Sequence, residues 1–271
     1  SDVYKRQTYH ILENLDSYPI LIPTDNDITE FYKLIDRALD DELIFIADPI
    51  LDPISYGFTD SLVRYVNLRE KYPDIHIMMG LGNITELTHA DTSGINMIML
   101  GIIEELKLNH ILTTQVSRHC STVIRETDLA RRIIHAASEN NLTPKHINDG
   151  LLVHHGHKDY AFCSDELIEM QGNIKDKNYR IYVNDDGIHL FNKNVYKIFS
   201  DPFDFYEHLE VSDDAGHAFY LGVELARAQI AHQLQKEYQQ DEELSWGCLV
   251  DKKVDNKLES KELGPTFKKR K

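Results

Sequence analysis

The chain is poor in cysteine: Cys120, Cys163 and Cys248 are its only three in 271 residues. An odd and scattered set builds no disulfide framework, and with no CxxC among them it builds no thiolate metal centre. A reducing, cytoplasmic setting is therefore expected. No apolar run approaches the ~20 residues that cross a bilayer. An excess of positive charge is also missing. Lys and Arg total 29 against 45 Asp and Glu, for a net charge of −16, which excludes a general binder of nucleic acid or anionic membrane. The glycines of Gly80-Leu81-Gly82 lack the third member and the following acid of a dinucleotide fingerprint, so they read as a tight loop after a strand.

What is present is a core: 42% of residues are hydrophobic, enough for a large domain or two small ones. Leu43 to Ala47 is a continuous apolar run, the signature of a strand buried on both faces. Asp48 and Asp52 follow it, each held extended by a proline. Short strands are also expected at Tyr18–Pro23, Ile75–Met79 and His110–Thr114. Helices lie between and after them, at Ile28–Leu39, Asp60–Glu70, Gly94–Leu106 and Arg125–Ala137. Asp25 or Asp27 offers a cap for the first, with Glu30 completing a capping box. In the second, Leu62, Val63, Val66 and Leu68 mark the expected buried face.

Four βα units at this spacing fit a βα barrel, at about 31 residues per unit, or an open doubly wound sheet. After Ser138 the rhythm stops. Leu142 to Ile147 reads as linker and Ser164–Ile174 as a short helix. Tyr179–Val183 and Ile188–Phe191 read as a hairpin, Pro202–Leu209 as a helix start and Ala218–Gln239 as a long helix. Residues 1–17 are expected to be a partly non-native tail preceded by more chain, since the sequence opens Ser1-Asp2-Val3. Residues 18–138 are the βα part, 139–250 an α+β extension and 251–271 a disordered tail.

Polar groups follow the parallel strands: Asp48 and Asp52, Asn83, then Thr113, Thr114 and Gln115. If the strands are neighbours, these converge on one mouth, where α/β proteins place their sites. A carboxylate with an amide suits a flat, nitrogen-rich heterocycle, because the first accepts paired N–H bonds and the second donates and accepts. A phosphate would want lysine, arginine or a glycine-rich helix start. The structural alternative is that Asp48 and Asp52 only cap or terminate elements. His154, His155 and His157, with His119 and Cys120 elsewhere, read as loop residues rather than a metal centre. Arg125 and Glu126 read as helix-surface charge.

ADPILDP (47–53), MGLGNITELT (79–88) and HILTTQV (110–116) resemble the last strands of pterin-binding βα barrels, the dihydropteroate synthases and methyltetrahydrofolate-dependent methyltransferases. The nearest match is the dihydropteroate-synthase-related group of folate or tetrahydromethanopterin biosynthesis. The segments at 174–181, 219–225 and Trp246-Gly247 are similar to that group too, so the likeness covers roughly residues 18–247. It implies a TIM-type (β/α)8 barrel of which the last four βα units are present, with a small α+β C-terminal extension.

By that resemblance Asp48 holds the pterin amidine edge and Asn83 faces the pterin from the next strand, with Asp52, Thr114 and Gln115 completing the substrate site. It assigns no catalytic residue. The implied activity is a transferase joining a pterin-methyl group to an arylamine, with Mg2+ brought by a pterin diphosphate, no other cofactor, and a homodimer as a compatible state. The synthases carry Ser-Arg-Lys-like residues where this chain has Gly82-Asn83-Ile84, so the family's pocket lysine is absent and the asparagine matches the methyltransferase pattern instead. The alternatives are a pterin-dependent corrinoid methyltransferase or a non-catalytic pterin-binding protein. Half a barrel alone is expected to be inactive and prone to associate.

Overall fold

A computed structural model describes residues 18–24, 27–156 and 158–251. The two tails expected at 1–17 and beyond 251, the cap at Asp25, and His157 lie outside these, Asp251 apart. The chain divides into two compact units between Leu151 and Leu152.

The first unit is α/β, with four parallel strands in the order β1-β2-β3-β4. They are β1 (Ile20–Leu21), β2 (Ile46–Ala47), β3 (His76–Gly80) and β4 (His110–Leu112). Each is a neighbour of the next in sequence, with Ile46 opposite both Ile20 and His76, and Gly80 opposite Leu112. Between and after them run α1 (Ile28–Asp40), α2 (Phe58–Lys71), a single turn α3 (Gly82–Thr85), α4 (Thr92–Glu105) and α5 (Val123–Glu139).

Strand alternation sorts the sheet's side chains into two faces. Leu21, Phe45, Ala47, Ile77 and Met79 share one face and are buried in one core with Phe31 and Ile35 of α1, Tyr65 and Leu68 of α2, and Met99 of α4. Ile20, Ile22, Ile44 and Leu112 share the other and are 49–64% exposed. The sheet is thus covered on one side by its own helices, and its second side carries these exposed apolar residues together with His76 and His110.

Asp27 caps α1 by accepting from the N–H groups of Thr29 and Glu30, while the Glu30 side chain bonds Lys33 rather than closing a capping box. Helix α2 buries Ser61, Tyr65 and Leu68; Val63 and Val66 are exposed. The expected face is corrected by polarity: a tyrosine and a serine turn inward because each finds a hydrogen bond there, Ser61 on Phe58 O and Tyr65 at the site below. Glu126 is likewise buried rather than on the helix surface, its carboxylate accepting from Thr92, Asn96 and Thr122.

At the end of the sheet where the strands start, Arg69 donates to the carbonyls of Leu106, Tyr72, Pro73, Ile75 and Lys107 and to Asn109 Oδ1. One guanidinium thereby joins the end of α2, the entry to β3 and the entry to β4. The stretch after α5 belongs to this unit: Leu151 packs on its core and a Cβ on Gly150 would collide with Leu129. The division therefore falls later than Ser138.

The second unit is a three-stranded antiparallel meander with helices. It holds α6 (Ser164–Gly172), β5 (Arg180–Asn184), β6 (Gly187–Phe191), β7 (Tyr196–Phe199) and α7 (Ala215–Gln233). The hairpin expected from Asn184 to Gly187 is present, with Asn184 Oδ1 accepting from Asp186 N–H and Gly187 at φ 140°. Pro202–His208 is a 3-10 turn rather than an α-helix. Ile181, Val183, Ile188 and Leu190 form a core with Leu221, Leu225 and Ala228 of α7. On the opposite face His189 is fully buried, bonded to Tyr196 Oη at 2.9 Å and to Asn184 Oδ1 at 2.6 Å. Among the described residues no helix is long and apolar enough to cross a membrane.

Candidate functional site

The loop Asp48-Pro49-Ile50-Leu51-Asp52-Pro53 leaves β2 in an unusual conformation. Ile50 has φ 65°, a left-handed geometry that a β-branched residue adopts only when its surroundings force it. Three contacts do so. Asp48 Oδ1 accepts from Ile50 N–H at 2.8 Å. Arg64, from α2, donates to Ile50 O at 2.7 Å and to Pro49 O at 3.2 Å, and its other reach is an ion pair with Asp52 at 2.7 Å. Gly57, at φ 105°, lets the chain return against Asp52, where a Cβ would stand 3.1 Å from Oδ2.

Asp48 is 9% exposed. Its Oδ1 also accepts from Tyr65 Oη at 2.8 Å, so that oxygen is engaged within the protein. Oδ2 faces Gly80 at the end of β3, 4.0 Å from where a Cβ would stand, and no described residue donates to it. Burial raises the Asp48 pKa above the ordinary carboxylate value, against the lowering effect of the Ile50 N–H and the Tyr65 hydroxyl. The same burial and the adjacent carboxylate push the Tyr65 hydroxyl well up, so it stays a hydrogen-bond donor.

Asn83 stands in the turn after β3 and donates from Nδ2 to Leu51 O at 2.7 Å. Asp48 and Asn83 thus occupy the same end of neighbouring parallel strands, with the Asp48–Pro53 loop bound directly to Asn83. A third strand joins through Gly82, where a Cβ would lie 2.7 Å from Thr114 Oγ1. Asp52, Asn83, Thr114 and Gln115 are all at this end. Asp52 serves Arg64, however, and Gln115 bonds the backbone of Ser121. Thr113, just beyond β4, buries its hydroxyl without a partner among the described residues.

No family model matches the chain. It is similar to the uncharacterized protein MJ0107 of Methanocaldococcus jannaschii, 31% identical over an alignment of 241 positions that covers 78% of this chain and 44% of that protein. The chain therefore spans less than half the length of this relative.

Sequence reasoning missed three residues of this end. Tyr65 and Arg64 looked like ordinary helix positions because nothing local marks a side chain that bonds 12 to 17 residues away. Glu86 was the third. It accepts from Val116 N–H and Ser117 N–H, each at 2.8 Å, and these bonds hold its pKa down at about 2. It anchors the loop after β4 to the turn after β3. His119 and Cys120 both point to Thr85 O, and burial pushes the Cys120 thiol up to about 11, so it is no nucleophile. Among the described residues no group of three or more His, Cys, Asp or Glu is placed to hold a metal.

Proposed function

We propose that the first unit is the C-terminal half of a pterin-binding (β/α)8 barrel, and that the whole protein is a transferase joining a pterin-methyl group to an arylamine. The reading rests on the residues that resemble the dihydropteroate-synthase-related group. One observation supports it: the desolvated Asp48 carboxylate and the Asn83 amide meet at the strand ends around a strained loop. Strain of this kind is kept where surroundings over-determine a geometry that function needs. With Oδ1 engaged, Asp48 would present Oδ2 to the ligand, accepting N–H bonds from one edge of a flat heterocycle. Catalysis would come mainly from holding the two substrates together rather than from a covalent intermediate.

The exposed apolar residues on the second face of the sheet support the barrel, since four further βα units would cover them. Calorimetry on the full-length protein decides the reading, using a dihydropterin and a methyl-tetrahydropterin in turn. Binding of the dihydropterin supports the transferase. Corrinoid methylation seen only with the methylated pterin would replace it by a methyltransferase, and no affinity for either would end the pterin reading.

A further inference from the structure

We propose that the β5 edge in the second unit takes up an extended peptide as a fourth strand. In the order β5-β6-β7, no strand among the described residues lies on the outer side of β5. Its hydrogen-bonding groups alternate between β6 and the outside. Ile181 N–H is outward, because it donates to the side chain of Gln240 at 3.0 Å. By alternation the C=O of Ile181 and both backbone groups of Val183 are outward too.

Ile181 and Val183 lie in a cleft of about 440 Å³, bounded on one side by the segment from Lys158 to Phe162 and on the other by Glu237 to Gln240. That volume falls in the range of ligand sites, roughly 300–1,000 Å³. Two features say what it receives. Gln240 already behaves as one peptide unit of an added strand, its carboxamide accepting from Ile181 N–H and donating to Tyr179 O. Next to it Tyr160 buries its hydroxyl with no partner among the described residues, a group that ordinarily finds one.

The occupant is a single extended backbone, because only that presents donors and acceptors at the spacing of a strand edge. A second copy of this unit fits poorly, since its own β5 lies in the same kind of cleft and two such edges cannot meet. The two walls are bridged by an ion pair, Lys158 to Glu237 at 3.4 Å, with both side chains mostly exposed. Exposed pairs of this kind hold weakly and are screened by salt, so the bridge is a light latch over the cleft.

The test selects a displayed random heptapeptide library on the full chain, with Val183→Pro as the counter-selection. Proline at an outward-facing edge position removes the donor while leaving the ladder to β6 intact. The expected result is peptides that bind the native chain at least tenfold more tightly than Val183→Pro and slow Val183 amide exchange at least tenfold. N-methylation of such a peptide at alternate residues should abolish binding in one register and spare it in the other. Should Val183→Pro fail to fold, the N-methyl series decides alone. No selected peptide, or binding indifferent to every N-methyl position, overturns the proposal.

Discussion

The side-chain amide of Asn83 donates to the backbone carbonyl of Leu51 at 2.7 Å, so the turn after one parallel strand is bonded to the loop after its neighbour. A polar residue that reads as a ligand contact also fixes the loop carrying Asp48. The rim is built as one piece, and its chemistry can be tested through the groups that hold it.

Asp48 should show stability and binding moving in opposite directions. Its pKa is raised in the folded state, so the native protein takes up a proton more readily than the unfolded chain, and this group's contribution to stability rises as pH falls toward the ordinary value. Asp48→Asn removes that dependence and keeps an oxygen for Ile50 and Tyr65. It should be at least as stable as the native protein at neutral pH in urea unfolding. Its dihydropterin affinity should fall by about 1.5–3 kcal/mol, the range for hydrogen bonds to charged groups. An unchanged dissociation constant would remove Asp48 from the site.

Glu86 has the opposite sign. Its pKa is lowered from 4.5 to about 2, so its stabilising effect is complete above the unfolded value and is lost as pH falls from there toward 2. The amides of Val116 and Ser117 should exchange several-fold faster in Glu86→Gln than in the native chain at pH 6, with the difference shrinking in acid. Equal protection at pH 6 would show that the loop is held by something else.

Arg69 should be the costliest single side chain to lose at the opposite end of the sheet. Arg69→Met leaves several carbonyls without their donor, and a loss of about 3 kcal/mol in urea unfolding is expected from unsatisfied polar groups. Arg69→Lys should recover only part of it, since an ammonium cannot span the same fork. A loss under about 0.5 kcal/mol, the ordinary range for a surface change, would refute the hub.

His189 should make the second unit acid-sensitive. Burial lowers its pKa below the ordinary histidine value, so the unfolded chain takes the proton more readily. Stability is then complete above the unfolded value and declines as pH falls through it. With Asn184 Oδ1 accepting, Nε2 carries the hydrogen and Nδ1 accepts from Tyr196. His189→Phe should flatten the stability profile between pH 7 and 5, read from thermal melts; a parallel profile would exclude this histidine as the cause.

The βα order and the strand ends that carry Asp48 and Asn83 were legible, because apolar runs and the polar groups after them are local signals; which strands are neighbours was left open by their spacing and is given by the sheet order. The end of the last helix was less legible. Glu42, Lys107, Asn141 and Gln235 all take left-handed φ values near 50°. Just after each, Leu43, Leu108, Leu142 and Lys236 bond back to Ala38, Ile103, Ala137 and Ala231, as in a Schellman cap. That position usually carries glycine, and without it the last of these stops was hidden: α7 ends at Gln233 and not Gln239, while the other three helices end within two residues of the expected positions. The inward turn of Tyr65 was hidden for another reason: its partner, Asp48, lies 17 residues away in sequence.

The close approach of Gly82 to Thr114 has a consequence for divergence. With 2.7 Å between the Cβ that residue 82 would have and the hydroxyl of residue 114, the two positions cannot drift separately. Homologues that place a side chain at 82 should carry a smaller residue at 114, and those keeping a threonine or larger at 114 should keep the glycine. A lineage with bulk at both would need a wider mouth, and with it a ligand of a different shape.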